Sequence, residues 1–201
     1  MKIVIITGPT GSGKTTFANA LFDNLKYAFI LRTDNYYKTG FISNLFSYFV
    51  NAYFDKPLSL NKNLIQKDIN AILKNKYISK FYKYDFIRKK RIKVIKDISR
   101  IDFLIIEGIF ALEIIKYIEN KDYILVNLKT SKKDCRDRIS LRDFIERGKS
   151  EKQYLKDFFN AWNIYKEKER NFNFKNIKKL ITLKRSFDID KILKMLSTKS
   201  S

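Results

Sequence analysis

The sequence predicts an α/β fold: a five-stranded parallel sheet flanked by helices. Three observations carry the prediction. Apolar runs rich in Ile, Val and Phe recur at 2–7, 27–32, 102–107, 123–128 and 180–183, each bounded by polar residues. Their length and continuity suit strands buried on both faces of a sheet. Between them lie stretches with apolar residues at helical spacing, and strands that alternate with helices imply crossover connections. The chain has 201 residues, 45% of them hydrophobic, which suits one domain with a sizeable core.

In chain order, the run KIVIIT at 2–7 gives the first strand, followed by a Gly-rich turn. A helix follows over 15–26, with Phe17, Ala20, Leu21 and Leu25 at helical spacing. The second strand, 27–32, runs into the sextet TDNYYK at 33–38. An Asp-Asn pair after a strand can start a turn through side-chain bonds to nearby backbone N–H groups. It can equally present an acid at the mouth of a site. The interval 41–99 is too long for one crossover; the pattern predicts a helix over 64–73 and a hairpin around 77–86. Strands at 102–107 and 123–128 come next, then helices over 131–145 and 154–169. A strand at 180–183 and a short helix over 188–196 close the chain. In the second long helix Phe158, Phe159, Trp162 and Tyr165 read as a core face. No repeat, low-complexity linker or second domain is evident, so 1–201 is read as a single domain.

Composition excludes several chemistries. The chain has no histidine, which rules out His-based catalysis, and its single Cys135 rules out an internal disulfide or a cysteine zinc site. No apolar run approaches the roughly 20 residues of a membrane helix. The first six residues lack the length and flanks of a signal peptide, so a soluble cytoplasmic protein without a membrane partner is expected. Lys and Arg number 42 against 21 Asp and Glu, a formal charge of +21. Such a charge draws in phosphates and can bind nucleic acid. The lysines are scattered, however, and the densest cluster is only RKKRIK at 88–93. A nucleic-acid partner is therefore not the leading expectation.

Gly8-Pro9-Thr10-Gly11-Ser12-Gly13-Lys14-Thr15 fits G-x-x-x-x-G-K-S/T in full, between a strand and a helix. This is the phosphate-binding loop of a P-loop NTPase (Walker A). Its glycines let backbone N–H groups face phosphate oxygens at a helix N-terminus. Gly8, Gly11, Ser12, Gly13, Lys14, Thr15 and Thr16 are the candidate nucleotide-binding residues. Lys14 would neutralise β/γ oxygens and Thr15 would offer its hydroxyl to magnesium. The cofactors implied are ATP or GTP with Mg2+. Glu107 ends the apolar strand at 102–107, where a Walker B acid holds or orients the metal, and Gly108 permits close backbone approach.

Six motifs stand in order: the P-loop, TDNYYK, YFDKP at 53–57, YKYDF at 82–86, IIEGIFAL at 105–112 and LRDFIERGKS at 141–150. Together they resemble the uridine kinase (uridine–cytidine kinase) family of P-loop kinases, relatives of phosphoribulokinase and pantothenate kinase, over residues 1 to about 150. The resemblance implies an ATP-dependent kinase of the uridine or cytidine 5′-hydroxyl, in pyrimidine salvage, with an acceptor-binding insertion at about 40–98 and a lid at about 138–150. It implies that Asp34 is the general base, near the magnesium, and that Tyr37 lines the sugar and base site. It also implies that Phe54 and Asp55 belong to a ribose-binding F-D-x-P, that Tyr84 and Phe86 flank the base, and that Arg142 and Arg147 close over the phosphates. Arg138 lies one helical turn before Arg142. Lys14, Asp34, Arg142 and Arg147 are thus the candidate catalytic residues, and Thr15, Glu107 and Asp34 the metal-facing ones.

The sequence departs from the family pattern in places. Lys89 stands where a base-reading histidine is usual and can donate but not accept, while Arg91 keeps the arginine that follows. Ile139 stands where an arginine is frequent, and Asp157 where a glutamine is common. The residues leave open a different small hydroxyl acceptor, such as a phosphosugar or a pantothenate-like compound. They also leave open a nucleotide-dependent RNA-binding module built on the +21 charge. Family members often form homo-oligomers, so a homo-oligomer is a further expectation.

Overall fold

β-branched side chains follow one another along β1 (Lys2–Thr7), and such residues fit a pleated, packed surface. In the computed structural model this strand is the middle of a five-stranded parallel sheet in the order β2-β5-β1-β6-β7. The structure describes residues 1–40, 45, 49–50, 53–85, 88, 90–118, 121–147, 150–184 and 188–197, and of 141–147 only the backbone. The other strands of the sheet are β2 (Ala28–Arg32), β5 (Phe103–Glu107), β6 (Tyr123–Leu128) and β7 (Leu180–Leu183). The described helices are α1 (Lys14–Asn24), α2 (Lys62–Asn75), α3 (Ala111–Ile114), α4 (Lys132–Arg147), α5 (Glu151–Asn171) and α6 (Ile189–Ser197).

The strands read as unbroken apolar runs because both faces of the sheet are covered. Ile3 and Ile5 join Leu104, Ile106 and Leu125 in one core cluster. Val4 and Ile6 point the other way, into a cluster with Phe17, Leu21, Ile105, Val126 and Ile192. Fully burying side chains of this size stabilises by about 1.5–3 kcal/mol each.

The interval 41–99 departs from its expected form. The hairpin is not confined to 77–86: that stretch is only its first strand, β3 (Ile78–Asp85), and β4 (Lys90–Ile98) returns antiparallel beside it. β4 reads KRIKVIKDI and leaves Ile92 and Ile95 exposed. A two-stranded ribbon needs little inward apolar surface, so its second strand carries no clear apolar signal. One residue of the expected α5 core face also differs. Phe158 and Tyr165 are buried, but Phe159 is exposed beneath the Lys132 ammonium.

The segment after β2 holds the hairpin to the main sheet. Thr33–Tyr36 forms a 3-10 helical turn. Asn35 Oδ1 accepts from the Tyr84 backbone N–H at 3.0 Å, and Arg91 donates to the Tyr37 carbonyl at 3.2 Å. The Tyr36 hydroxyl donates to Asp68 Oδ2 at 2.9 Å, where both residues are buried. Burial pushes the Asp68 carboxyl up and the Tyr36 hydrogen bond pulls it down.

Tyr36→Phe deletes that donor and leaves a buried carboxylate short of a partner. The expected loss is about 1–3 kcal/mol of stability, read by urea unfolding near neutral pH. An unchanged midpoint would mean that Asp68 is satisfied by other groups.

Candidate active site

The sheet order brings the carboxyl ends of β2, β5 and β1 together on one edge, the position at which open parallel sheets bind ligands. Glu107 stands level with Ile6 on one side and Arg32 on the other. The Gly-rich loop therefore opens beside Glu107, and the 33–36 turn opens on its other flank.

The loop has the shape its glycines allow. Gly11 has φ 77°, and a Cβ there would meet the Cys135 carbonyl oxygen at 2.3 Å. Gly13 caps α1 in the left-handed conformation and presents the helix N-terminus. Lys14 is buried, and its ammonium donates to the carbonyls of Gly8 (2.9 Å) and Pro9 (2.8 Å). Ser12 Oγ is shielded without a hydrogen-bond partner among the described residues. Thr15 and Thr16 are both exposed in the first turn of α1. An orphan hydroxyl, a lysine turned onto its own loop and a backbone cradle closed to Cβ atoms all fit a bound polyphosphate.

The metal side fits as well. Thr15 Oγ1 donates to Glu107 Oε1 at 3.3 Å. Gly108, at φ 137°, passes so close to the neighbouring turn that a Cβ would lie 1.9 Å from Thr33 Oγ1 and 3.2 Å from Asp34 Oδ1. Asp34 and Glu107 are thereby neighbours. Burial first, then the charge of Asp34, raises the Glu107 carboxyl, and Lys14, Arg32 and Thr15 pull it back. Among the described residues no group of three or more acids or cysteines could cage a metal. A magnesium ion here would lean on Thr15, Glu107 and Asp34 together with nucleotide phosphates, its usual mode of binding.

The residues expected on the acceptor side form an aromatic wall. Tyr37, only 3% exposed, meets Phe54 at 5.2 Å, Tyr84 at 5.1 Å and Phe110 at 6.0 Å between ring centroids, each edge to face. Burial pushes the Tyr84 hydroxyl up to about 12. Asp55 follows Phe54 in a short turn whose carbonyl accepts from Lys168 at 3.3 Å. Lys168 also pairs with Glu113 at 3.6 Å and lies over the Phe110 ring. Burial lowers the Lys168 ammonium, and Glu113 and Asp55 resist that shift. Phe86 and Lys89 lie outside the described residues.

Helix α4 starts against the P-loop. Thr130 Oγ1 donates to the Ser12 carbonyl at 3.1 Å, and a Cβ at Gly11 would lie 2.9 Å from Ile139. Ile139 is buried with Cys135 and Phe158, whereas Arg138 is exposed. Burial pushes the Cys135 thiol up to about 11, with Lys14 and Arg138 pulling it back. Arg142 and Arg147 lie farther along the same helix, in the segment described by backbone alone. The structure thus brings together the loop residues, Glu107 and Asp34 at one place, and Tyr37, Phe54, Tyr84 and Asp55 at the next.

Sequence reasoning gave no role to Arg32, Asn35 or Lys168. Asn35 stood in plain view inside TDNYYK. Arg32 becomes visible only once β2 is known to lie beside β5.

Glu107→Gln removes a charge that the fold raises against its solution value. A carboxyl raised in the folded state costs stability when ionised, fully at high pH and not at all below its unfolded value of about 4.3. The variant should melt higher than the parent at about pH 8, and the gap should close toward about pH 4. A scanning-calorimetry series over that range checks both the sign and the window.

The comparisons agree with this geometry. The model of the "Phosphoribulokinase / Uridine kinase family" matches residues 3–174. A uridine kinase of Ureaplasma urealyticum is 33% identical over 153 residues, covering 74% of this chain and 72% of that protein. A uridine kinase of Borrelia turicatae is 33% identical over 129 residues, 64% of this chain and 59% of its own length. The match thus spans under two thirds of the Borrelia protein. In fold, a Bacillus stearothermophilus protein described as a possible uridine kinase superposes with a TM-score of 0.54 at 16% identity, covering 90% of this chain and 88% of its own. A Silicibacter protein provisionally described as a fructose transport system kinase superposes with a TM-score of 0.63 at 16% identity, over 83% and 84% of the two chains. No helix among the described residues is long and apolar enough to cross a membrane. With its family model matched along most of its length and its phosphate loop, strand-end acid and parallel sheet in register, the chain belongs to the phosphoribulokinase/uridine kinase family.

Proposed function

We propose that this chain is an ATP-dependent nucleoside kinase that phosphorylates the 5′-hydroxyl of uridine or cytidine. Its family makes it a phosphotransferase acting on a hydroxyl acceptor. The observation that supports a nucleoside is the position of Asp34: beside Glu107 at the phosphate end, and next in sequence but two to Tyr37 of the aromatic wall. The curated relatives called uridine kinases favour the same acceptor.

Magnesium-bound ATP supplies an electrophilic γ-phosphorus whose oxygen charge is already partly neutralised. Asp34 takes the proton of the acceptor hydroxyl as its oxygen bonds to that phosphorus. The bond from phosphorus to the β–γ bridging oxygen breaks, leaving ADP. Lys14, which now donates to the Gly8 and Pro9 carbonyls, would neutralise β/γ oxygens, and Thr15 and Glu107 would hold the metal. Arg142 and Arg147, with Arg138 nearer the helix start, neutralise charge on the transferring group from a lid at about 138–150. Asp55 accepts from ribose hydroxyls, and Phe54, Tyr84 and Phe86 offer apolar contact to the base from an insertion at about 40–98. Exclusion of water and exact placement of the reacting oxygen supply most of the rate.

A second reading rests on the sequence: Lys89 stands where the resembled family usually has a base-reading histidine, and Asp157 where a glutamine is common. Those departures favour a different small hydroxyl acceptor over the same phosphate chemistry. An RNA-binding module has no comparable geometric support.

ADP release with magnesium and ATP, against uridine, cytidine, other nucleosides and sugars, tests the acceptor. The expected result is stimulation by a pyrimidine nucleoside with its 5′-monophosphate as product; stimulation only by a sugar moves the assignment to the second reading. Asp34→Asn should lower turnover by about 10²–10⁴ with little change in nucleotide affinity. Full turnover in that variant would remove Asp34 from the role of base.

A further inference from the structure

We infer that Arg32 is a resident cation of the metal subsite: its guanidinium neutralises Glu107 while no metal–nucleotide is bound, and it must yield that oxygen when magnesium arrives. The inference rests on the reading that Glu107 and Thr15 face the metal. It assigns to this chain a built-in competitor that raises the metal concentration the site requires.

Three observations carry it. The first is convergence on one atom. Arg32 Nε lies 3.3 Å from Glu107 Oε1, and the Thr15 hydroxyl donates to that same Oε1, also at 3.3 Å. The oxygen that faces the metal-binding hydroxyl is therefore the one the guanidinium occupies. A divalent cation and a guanidinium on one carboxylate oxygen repel strongly in a partly buried site.

The second is the form of the pairing. Structural arginine–carboxylate pairs are commonly two-pronged, with two aligned N–H donors. Here Nε is shielded and has no aligned hydrogen bond among the described residues, and its contact to Glu107 is purely one of charge at close range. The firm hydrogen bond is elsewhere: Nη2 donates to Asn19 Oδ1 of α1 at 2.7 Å.

The third is room to move. The Arg32 side chain is 37% exposed and Glu107 only 5%. Arg32 ends β2 at the open edge of the sheet, so its guanidinium can turn outward on the Asn19 anchor while the carboxylate stays fixed. Across the Gly108 approach Asp34 repels the Glu107 carboxylate, and the charges of Lys14 and then Arg32 offset it. Lys14 also donates to the Gly8 and Pro9 carbonyls in this state. Arg32 adds its charge at 3.3 Å from Oε1.

A plain structural ion pair between neighbouring strand ends predicts something different. It would stabilise the free and the loaded protein alike, and its removal would leave metal affinity unchanged. A displaced cation stabilises only the free state, so its removal makes metal binding easier, because a bond that binding must break opposes that binding.

The test is a magnesium titration at saturating non-hydrolysable ATP analogue, about pH 8, followed by thermal shift and not by turnover. Manganese binding counted by electron paramagnetic resonance gives a second direct readout. Arg32→Gln should lower the half-saturating metal concentration by about fivefold, and Arg32→Lys, which keeps a cation, by much less. The shift produced by metal plus analogue should grow in Arg32→Gln, because only the free state is destabilised. Glu107→Gln runs in parallel. A large rise in half-saturation there, with no decrease in Arg32→Gln, would overturn the role of Arg32 and leave the metal assignment standing. No effect of Glu107→Gln would overturn the metal assignment itself. In the double variant the Arg32 effect should vanish, and its persistence would place the action of Arg32 somewhere other than Glu107.

Discussion

Two carboxylates held beside each other at the edge of a sheet are the constraint around which this molecule is arranged. Glu107 ends β5 and Asp34 follows β2, and these strands are neighbours. Gly108 makes the approach tighter than any side chain would permit, since a Cβ would overlap Thr33 Oγ1. Burial and repulsion raise the Glu107 carboxyl, which means that the fold bears a cost to keep both acids there. Such a cost is typical of sites whose charges are completed by a ligand. Lys14, Thr15 and Arg32 each act on Glu107 with a positive charge or a donated hydrogen bond. The phosphate-loop lysine, the Thr15 hydroxyl and the strand-end arginine thus answer one electrostatic problem.

The 33–38 segment that carries Asp34 also holds α2, β3 and the aromatic wall in place. Thr33 is buried under Gly108, Asn35 holds the β3 backbone, Tyr36 holds Asp68 of α2, and Tyr37 is the hub of the aromatic wall. Lys38 donates its backbone N–H to the Ser59 carbonyl at 2.7 Å. Scaffold residues lie on both sides of Asp34 and of Tyr37, so one segment fixes the acid and the aromatic wall together. Positional coupling of this kind suits a transfer reaction, where small displacements of the reacting oxygen are costly. TDNYYK is therefore both a turn and a presented acid. Its side chains divide the two tasks.

The strands of the main sheet were legible because burial on both faces leaves no polar alternation to confuse with a helix. The P-loop was legible because each of its residue types answers a local need of backbone or phosphate. β4 was not, since a ribbon strand that exposes Ile92 and Ile95 among lysines resembles a charged loop. Phe159 was read as core from spacing alone, yet it sits at the margin of the α5 face, where a lysine covers it. Arg32 was invisible for a different reason. Its partner is set by the adjacency of β2 and β5, and strand order is a property of the whole topology. The residues of the 33–38 turn lie between these cases: a motif named them, but only the tertiary fold shows which one faces the acid and which the hairpin.

The buried Ile139 bears on how the phosphate loop is supported. The first turns of α4 are fastened to the P-loop by Thr130, by the Cys135 carbonyl against Gly11, and by Ile139 packed with Cys135 and Phe158. An arginine at 139 would bring charge to the loop but would have to bury it in this apolar cluster, at a cost an isoleucine avoids. The helix base is therefore fixed by packing, and positive charge is left to residues of its exposed side and far end.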